Sequence, residues 1–186
     1  MSKLTSEGKC PYCEKTYKKA GISRHLETHL KKMAVTPKEG KQYFHIRVDG
    51  GLTFLNLLIS DNATFQKLDS FLREIWMECC GHMSQFGDWG NKIGKRSKVK
   101  EYFYKGFKTD YTYDFGSSTE VKIKVISEYI LKEKQAIVLL SRNEPLEIYC
   151  DTCGKKPATG LCTVHWGEGD TFFCEDCMEK HEKTCE

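Results

Sequence analysis

Between residues 43 and 59 the apolar positions form two dense runs, Tyr43–Val48 and Leu52–Ile59, broken by Asp49-Gly50-Gly51. The runs read as two strands of a hairpin, because paired glycines supply the positive φ that a tight turn needs. Next, Phe65, Leu68, Leu72, Ile75, Trp76 and Cys79 recur three or four residues apart and trace one apolar stripe on a helix. Thr64 suits its N-cap and Gly81 its end. Beyond His82 the pattern alternates or turns β-branched at 111–115, 120–126 and 135–140, which reads as further strands. The pattern predicts an α+β fold, a mainly antiparallel sheet with one long helix covering one face.

Composition narrows this picture. The chain has 186 residues, 39% of them hydrophobic and 30% charged, the mix of an ordered globular protein. Residues 1–10 lack the apolar core of an export signal, and the longest apolar run, Leu57–Ile59, is far too short to cross a bilayer. The expectation is a cytoplasmic protein without a membrane partner. In a reducing compartment, 10 Cys and 6 His point to metal rather than to disulfides.

Charge divides the chain into thirds. Residues 1–42 carry a net +6, residues 43–143 a net +3 and residues 144–186 a net −6. Together with the Cys and His positions, this predicts three modules, at 1–34, 35–147 and 148–186.

In the first module, Cys10-Pro11-Tyr12-Cys13 is followed after eleven residues by His25 and His29. Two thiolates on a knuckle and two imidazoles one helical turn apart can converge on one tetrahedral zinc. The pattern resembles a two-Cys, two-His zinc finger with its interval one residue short. Its charges, among them Lys18, Lys19 and Arg24, suit either phosphate contact or plain solvation of a small module. The base-reading positions of such a finger fall on Lys18, Gly21 and Arg24, and Gly21 has no side chain to read with.

The last module holds four ligand pairs, Cys150/Cys153, Cys162/His165, Cys174/Cys177 and His181/Cys185. Eight ligands make two closed four-coordinate zinc sites with no position left for a catalytic water. The spacing resembles cross-braced fingers of the B-box and MYND type. That resemblance implies one zinc on Cys150, Cys153, Cys174 and Cys177 and another on Cys162, His165, His181 and Cys185. Spacing alone leaves a sequential pairing open. The acidic charge repels phosphate and favours a protein partner or a structural cap.

The middle module is harder to read. Phe71–Phe86, the Tyr111-Thr-Tyr-Asp-Phe-Gly116 segment and Asn143–Glu147 resemble the plasmid pRiA Orf-three-like family, which implies an α+β domain and no activity. Cys79, Cys80, His82, Asp110 and Asp114 are the chemically suggestive set, yet they show no base-and-orienter pattern. The basic run at 92–108, with Lys95 and Arg96 and interleaved aromatics, suits nucleic-acid contact or a solvated loop whose aromatics turn inward.

The sequence thus predicts a non-catalytic protein with three structural zincs, acting as a nucleic-acid-associated regulator or adaptor. DNA or RNA would meet the basic amino-terminal part and a protein partner the acidic carboxy-terminal module. The alternatives are an enzyme with its site in the middle module and a pure protein-interaction scaffold.

Overall fold

The structure is a computed structural model that describes residues 6–77, 81–164 and 171–185. The contacts divide the chain into two compact units, one spanning Ser6–Glu144 and the other containing Pro145–Glu186. The sequence boundary near 34 therefore does not separate compact units.

In chain order the first unit holds β1 (Glu7–Lys9), β2 (Thr16–Lys18), α1 (Lys19–Met33), β3 (Lys41–Gly50), β4 (Thr53–Ser60) and α2 (Phe65–Trp76). It continues with β5 (Ser84–Phe86), β6 (Lys108–Tyr113), β7 (Thr119–Leu131) and β8 (Ile137–Arg142). Six strands form one antiparallel sheet in the order β5-β6-β7-β3-β4-β8. The β3–β4 hairpin turns as its glycines require, with Gly51 at φ +81.

Alternation sends the two sets of apolar side chains to opposite faces of this sheet. Phe44, Ile46 and Val48 join Leu55, Leu57 and Ile59 against Phe65, Leu68 and Leu72 of α2. Thr64 caps that helix, its hydroxyl accepting from the Lys67 amide at 3.3 Å. The helix is shorter than the stripe predicts, for it ends at Trp76 and Met77 is extended. The Met77 amide closes on the Arg73 carbonyl, while the Arg73 guanidinium donates to the His82 carbonyl at 2.7 Å and holds the chain near the helix end. Cys79 and Cys80 lie outside the described residues.

On the other face, Tyr43, Phe54, Leu58, Tyr129, Leu131 and Leu140 meet Ile22, Leu26 and Leu30 of α1. Those three helix residues, spaced four apart, are fully buried. The amino-terminal ββα segment is therefore a second covering layer of the sheet, where the sequence suggested a separate module. Three apolar residues on one stripe need a surface larger than the segment itself offers, and the sheet supplies it. β1 lies so close to β4 and β8 that a Cβ on Gly8 would come within 2.7 Å of the Phe54 ring, and the Ser141 hydroxyl donates to the Lys9 carbonyl at 2.9 Å.

The second unit contains β9 (Gly160–Leu161), antiparallel to β10 (Phe172–Phe173), and α3 (Glu175–Glu182). Its described residues bury few apolar side chains, chiefly Phe173 with Cys150, Cys162 and Cys174.

Candidate metal centres

The first centre is built where the β1–β2 hairpin meets α1. The Cys10 amide donates to the Lys15 carbonyl and the Glu14 amide to the Cys10 carbonyl, both at 2.9 Å, curling residues 10–15 into a knuckle. Glu14 sits at φ +60 to close it. Helical spacing brings His25 and His29 to one side of α1, with their Nε2 atoms 3.2 Å apart. Cys13 Sγ stands 3.1 Å from His25 Nε2, and one ligand atom from each of Cys10, Cys13, His25 and His29 lies within 4.8 Å of the others. The Tyr17 ring stacks on His25 at 4.2 Å and fixes its orientation. Burial, then the nearby His29 and Lys15, hold the His25 imidazole below its usual pKa, which favours the neutral form that a metal requires. Burial raises the Cys10 thiol.

The second centre joins two knuckles of the carboxy-terminal unit. In one, the Gly154 amide returns to the Cys150 carbonyl at 2.8 Å, with Gly154 at φ +61. In the other, Cys174 caps α3 and Cys177 lies in its first turn. Asp151 ties the knuckle to β10, its carboxylate accepting from the Thr171 and Phe172 amides at 2.9 and 2.8 Å. The thiols of Cys150, Cys153, Cys174 and Cys177 form one group within 4.8 Å. Burial pushes the Cys150 thiol up, but amides of Cys153, Cys174 and Thr152 outweigh it and bring it to about 6. Cys177 is pushed up to about 12, first by its hydrogen bond with Cys174 and then by burial. Close thiols cannot all ionise without a cation among them.

Cys162, His181 and Cys185 form the third group, with the two Sγ atoms 3.7 Å apart. Phe173 stacks on the His181 ring at 4.3 Å. The expected fourth ligand, His165, lies outside the described residues. These two groups follow the cross-braced pairing, first with third and second with fourth, and not the sequential one. In both, the S···S distances of 3.9 Å (Cys153–Cys174) and 3.7 Å exceed a disulfide bond of about 2.05 Å. All eight cysteines of the three groups are free, and each group can hold a metal ion.

The five basic residues singled out from the sequence meet different fates. Lys18, Arg24 and Arg96 are exposed. Lys19 bonds Asp49 and donates to the Gly51 carbonyl at 2.6 Å, pinning the start of α1 to the β3–β4 turn. Lys95 turns inward, donating to the Ser84 hydroxyl at 2.6 Å and standing 3.3 Å from the buried Asp69. Phe103 of the same basic run is buried, whereas Tyr104 is exposed.

His82 and Asp114 do meet, at 3.4 Å, whereas Asp110 lies within β6 opposite Lys122 of β7. A different cluster escaped the sequence reading. Asp69 accepts from Arg73 at 3.0 Å, from Tyr111 at 2.9 Å and from Ser84 at 2.5 Å. Burial raises its carboxyl, but the bonds from Ser84 and Tyr111 and the charges of Lys95 and Arg73 hold it below its ordinary value. Its signal in the sequence is an acid on the apolar stripe, between Leu68 and Leu72.

No helix among the described residues is long and apolar enough to cross a membrane. No family model matches the chain. No curated protein matches it. A crystal structure of a protein of unknown function, MM3350 from Methanosarcina mazei Go1, is similar at 17% identity with a TM-score of 0.46, over 58% of this chain and 70% of that one.

Proposed function

We propose that the chain is a non-catalytic cytoplasmic adaptor built around three structural zinc ions, with its carboxy-terminal unit docking a protein partner. The observation that carries this reading is the spacing of the ligand atoms. Two thiolates about 2.3 Å from a tetrahedral zinc stand about 3.8 Å apart, and two imidazole nitrogens at about 2.0 Å stand about 3.3 Å apart. The S···S pairs at 3.9 and 3.7 Å and the N···N pair at 3.2 Å match those edges. Four-ligand sites leave no position for substrate or water, which favours a structural role for the metal.

The docking part rests on Tyr149, Leu161 and Val164, 46%, 43% and 63% exposed on an acidic unit. Kinship with the plasmid pRiA Orf-three-like family belongs to the same reading and rests on the sequence resemblance of the Tyr-Thr-Tyr segment alone. Metal analysis of protein purified without chelator tests the scheme. Three zincs per chain are expected, and two or fewer would break it.

Contact with DNA or RNA is a second reading, favoured by the exposed Lys18 and Arg24 on the basic amino-terminal segment. It predicts salt-dependent oligonucleotide binding, measured by fluorescence anisotropy, that weakens when Lys18 and Arg24 are changed together to Ala. Binding absent at low salt rejects it.

A further inference from the structure

The sheet face that α1 covers remains open at its other end, where β6, β7 and β3 lie side by side. A cleft of about 410 Å³ opens there, within the range of small-molecule sites. Its floor is two cross-strand rows set by the register. Arg47 of β3 faces Lys124 of β7, which faces Lys108 of β6. Two residues along, about 7 Å away, Asp49 faces Lys122, which faces Asp110.

Three cations in direct cross-strand opposition repel one another and weaken the sheet that carries them. Among the described residues, Lys108, Lys122 and Lys124 have no carboxylate within ion-pair distance. Arg47 reaches only the flank of Asp49, at 3.7 Å, and its buried Nε has no hydrogen-bond partner. Asp49 is itself held by Lys19. The cleft thus carries unneutralised positive charge on one row and alternating charge on the next.

We propose that this cleft binds a phosphomonoester, a small phosphorylated metabolite of the sugar-phosphate or nucleoside monophosphate class. The phosphate lies over Arg47, Lys124 and Lys108, where a charge near −2 relieves the repulsion within the row. The organic part lies over the second row, where the Asp110 carboxylate accepts from its hydroxyls. The lining residues Arg47, Lys108, Lys122 and Lys124 against Asp49 and Asp110 sum to +2, which matches one phosphate dianion. No reaction is part of the proposal, and it is independent of the metal centres.

The test uses the full-length, metal-loaded protein in low-salt, phosphate-free buffer. Adenosine 5′-monophosphate, inorganic phosphate, adenosine and an oligonucleotide without terminal phosphate are each titrated by calorimetry and by thermal melts. Adenosine 5′-monophosphate is expected to bind saturably and raise Tm, inorganic phosphate to bind more weakly, and adenosine to do neither. The double variant Lys108→Gln/Lys124→Gln is expected to weaken monophosphate binding at least tenfold. Both residues are exposed, and removing like charges from the row is expected to raise the ligand-free Tm, so lost binding cannot come from lost folding. The single variant Lys124→Gln gives a smaller loss in the same direction. Failure of the monophosphate to bind, equal binding of adenosine, unchanged affinity in the double variant, or tighter binding of the oligonucleotide than of the monophosphate would each overturn the proposal.

Discussion

Ser23 of α1 donates a 2.7 Å hydrogen bond to Oδ1 of Asn56 in β4, and both side chains are buried. The same oxygen lies 3.0 Å from Nε2 of the buried His45 in β3. One amide oxygen thus joins the ββα segment to two strands of the sheet. Truncating it leaves two buried donors without an acceptor. Asn56→Ala is expected to cost about 2–5 kcal/mol, read as a lowered urea midpoint at unchanged slope. Ser23→Ala removes one partner and is expected to cost about 1 kcal/mol.

The same triad makes stability depend on pH. Burial lowers the His45 pKa to about 4, against a bond to Asn56 that raises it and an Arg47 charge that lowers it further. The unfolded chain binds the proton more readily, near 6.5, so protonation favours unfolding. The His45 contribution is therefore complete above about pH 6.5 and declines as pH falls toward 4, by roughly 3 kcal/mol in all. Acid also protonates the Cys and His groups that could hold metal, so the measurement is the difference in unfolding free energy between wild type and His45→Gln. That difference is expected to shrink between pH 6.5 and 4.5, and a constant difference would refute the assignment.

Asp69 is a second buried anchor. Its side chain is 3% exposed, and it gathers Arg73, Lys95, Ser84 and Tyr111 from four separate stretches of chain. Asp69→Ala leaves two cations facing a vacated site and is expected to cost about 3–5 kcal/mol. Arg96→Ala, one residue beyond Lys95 but exposed, is expected to change stability by less than about 0.5 kcal/mol. Chemical denaturation of the two variants separates an inward from an outward cation of the same run.

Metal removal is expected to act unequally on the two units. The carboxy-terminal unit has little apolar core among its described residues, so its fold is expected to depend on metal held by its Cys and His groups. Chelation, or Cys150→Ser, is expected to abolish amide protection in 171–185. The sheet of the first unit keeps its protection, because α1 retains Ile22, Leu26 and Leu30 against it. Hydrogen exchange followed by mass spectrometry distinguishes the two, and loss of sheet protection on Cys150→Ser would contradict this division.

Several features were legible in the sequence because they depend on neighbours along the chain. The β3–β4 hairpin follows from Gly50-Gly51, the start of α2 from Thr64, and the ligand pairs from their short intervals. The end of α2 was not, because the contacts near it reach along the chain, as in the bond from Arg73 to the His82 carbonyl nine residues on. Asp69 was passed over for a similar reason, as its partners at 73, 84, 95 and 111 share no local pattern.

By itself the sequence marked the Cys and His pairs that could hold metal, the longer strands of the main sheet and the α+β class. Intervals of two to four residues and a period of two or 3.6 carry that information. Only the tertiary structure decided that α1 covers the sheet, that the carboxy-terminal thiols group across the unit, and that Lys19 and Lys95 turn to Asp49 and Asp69. It also placed Arg47, Lys124 and Lys108 in one row. Each of these depends on strand register and helix docking between residues far apart in sequence, and there apolar burial and charge pairing select the arrangement.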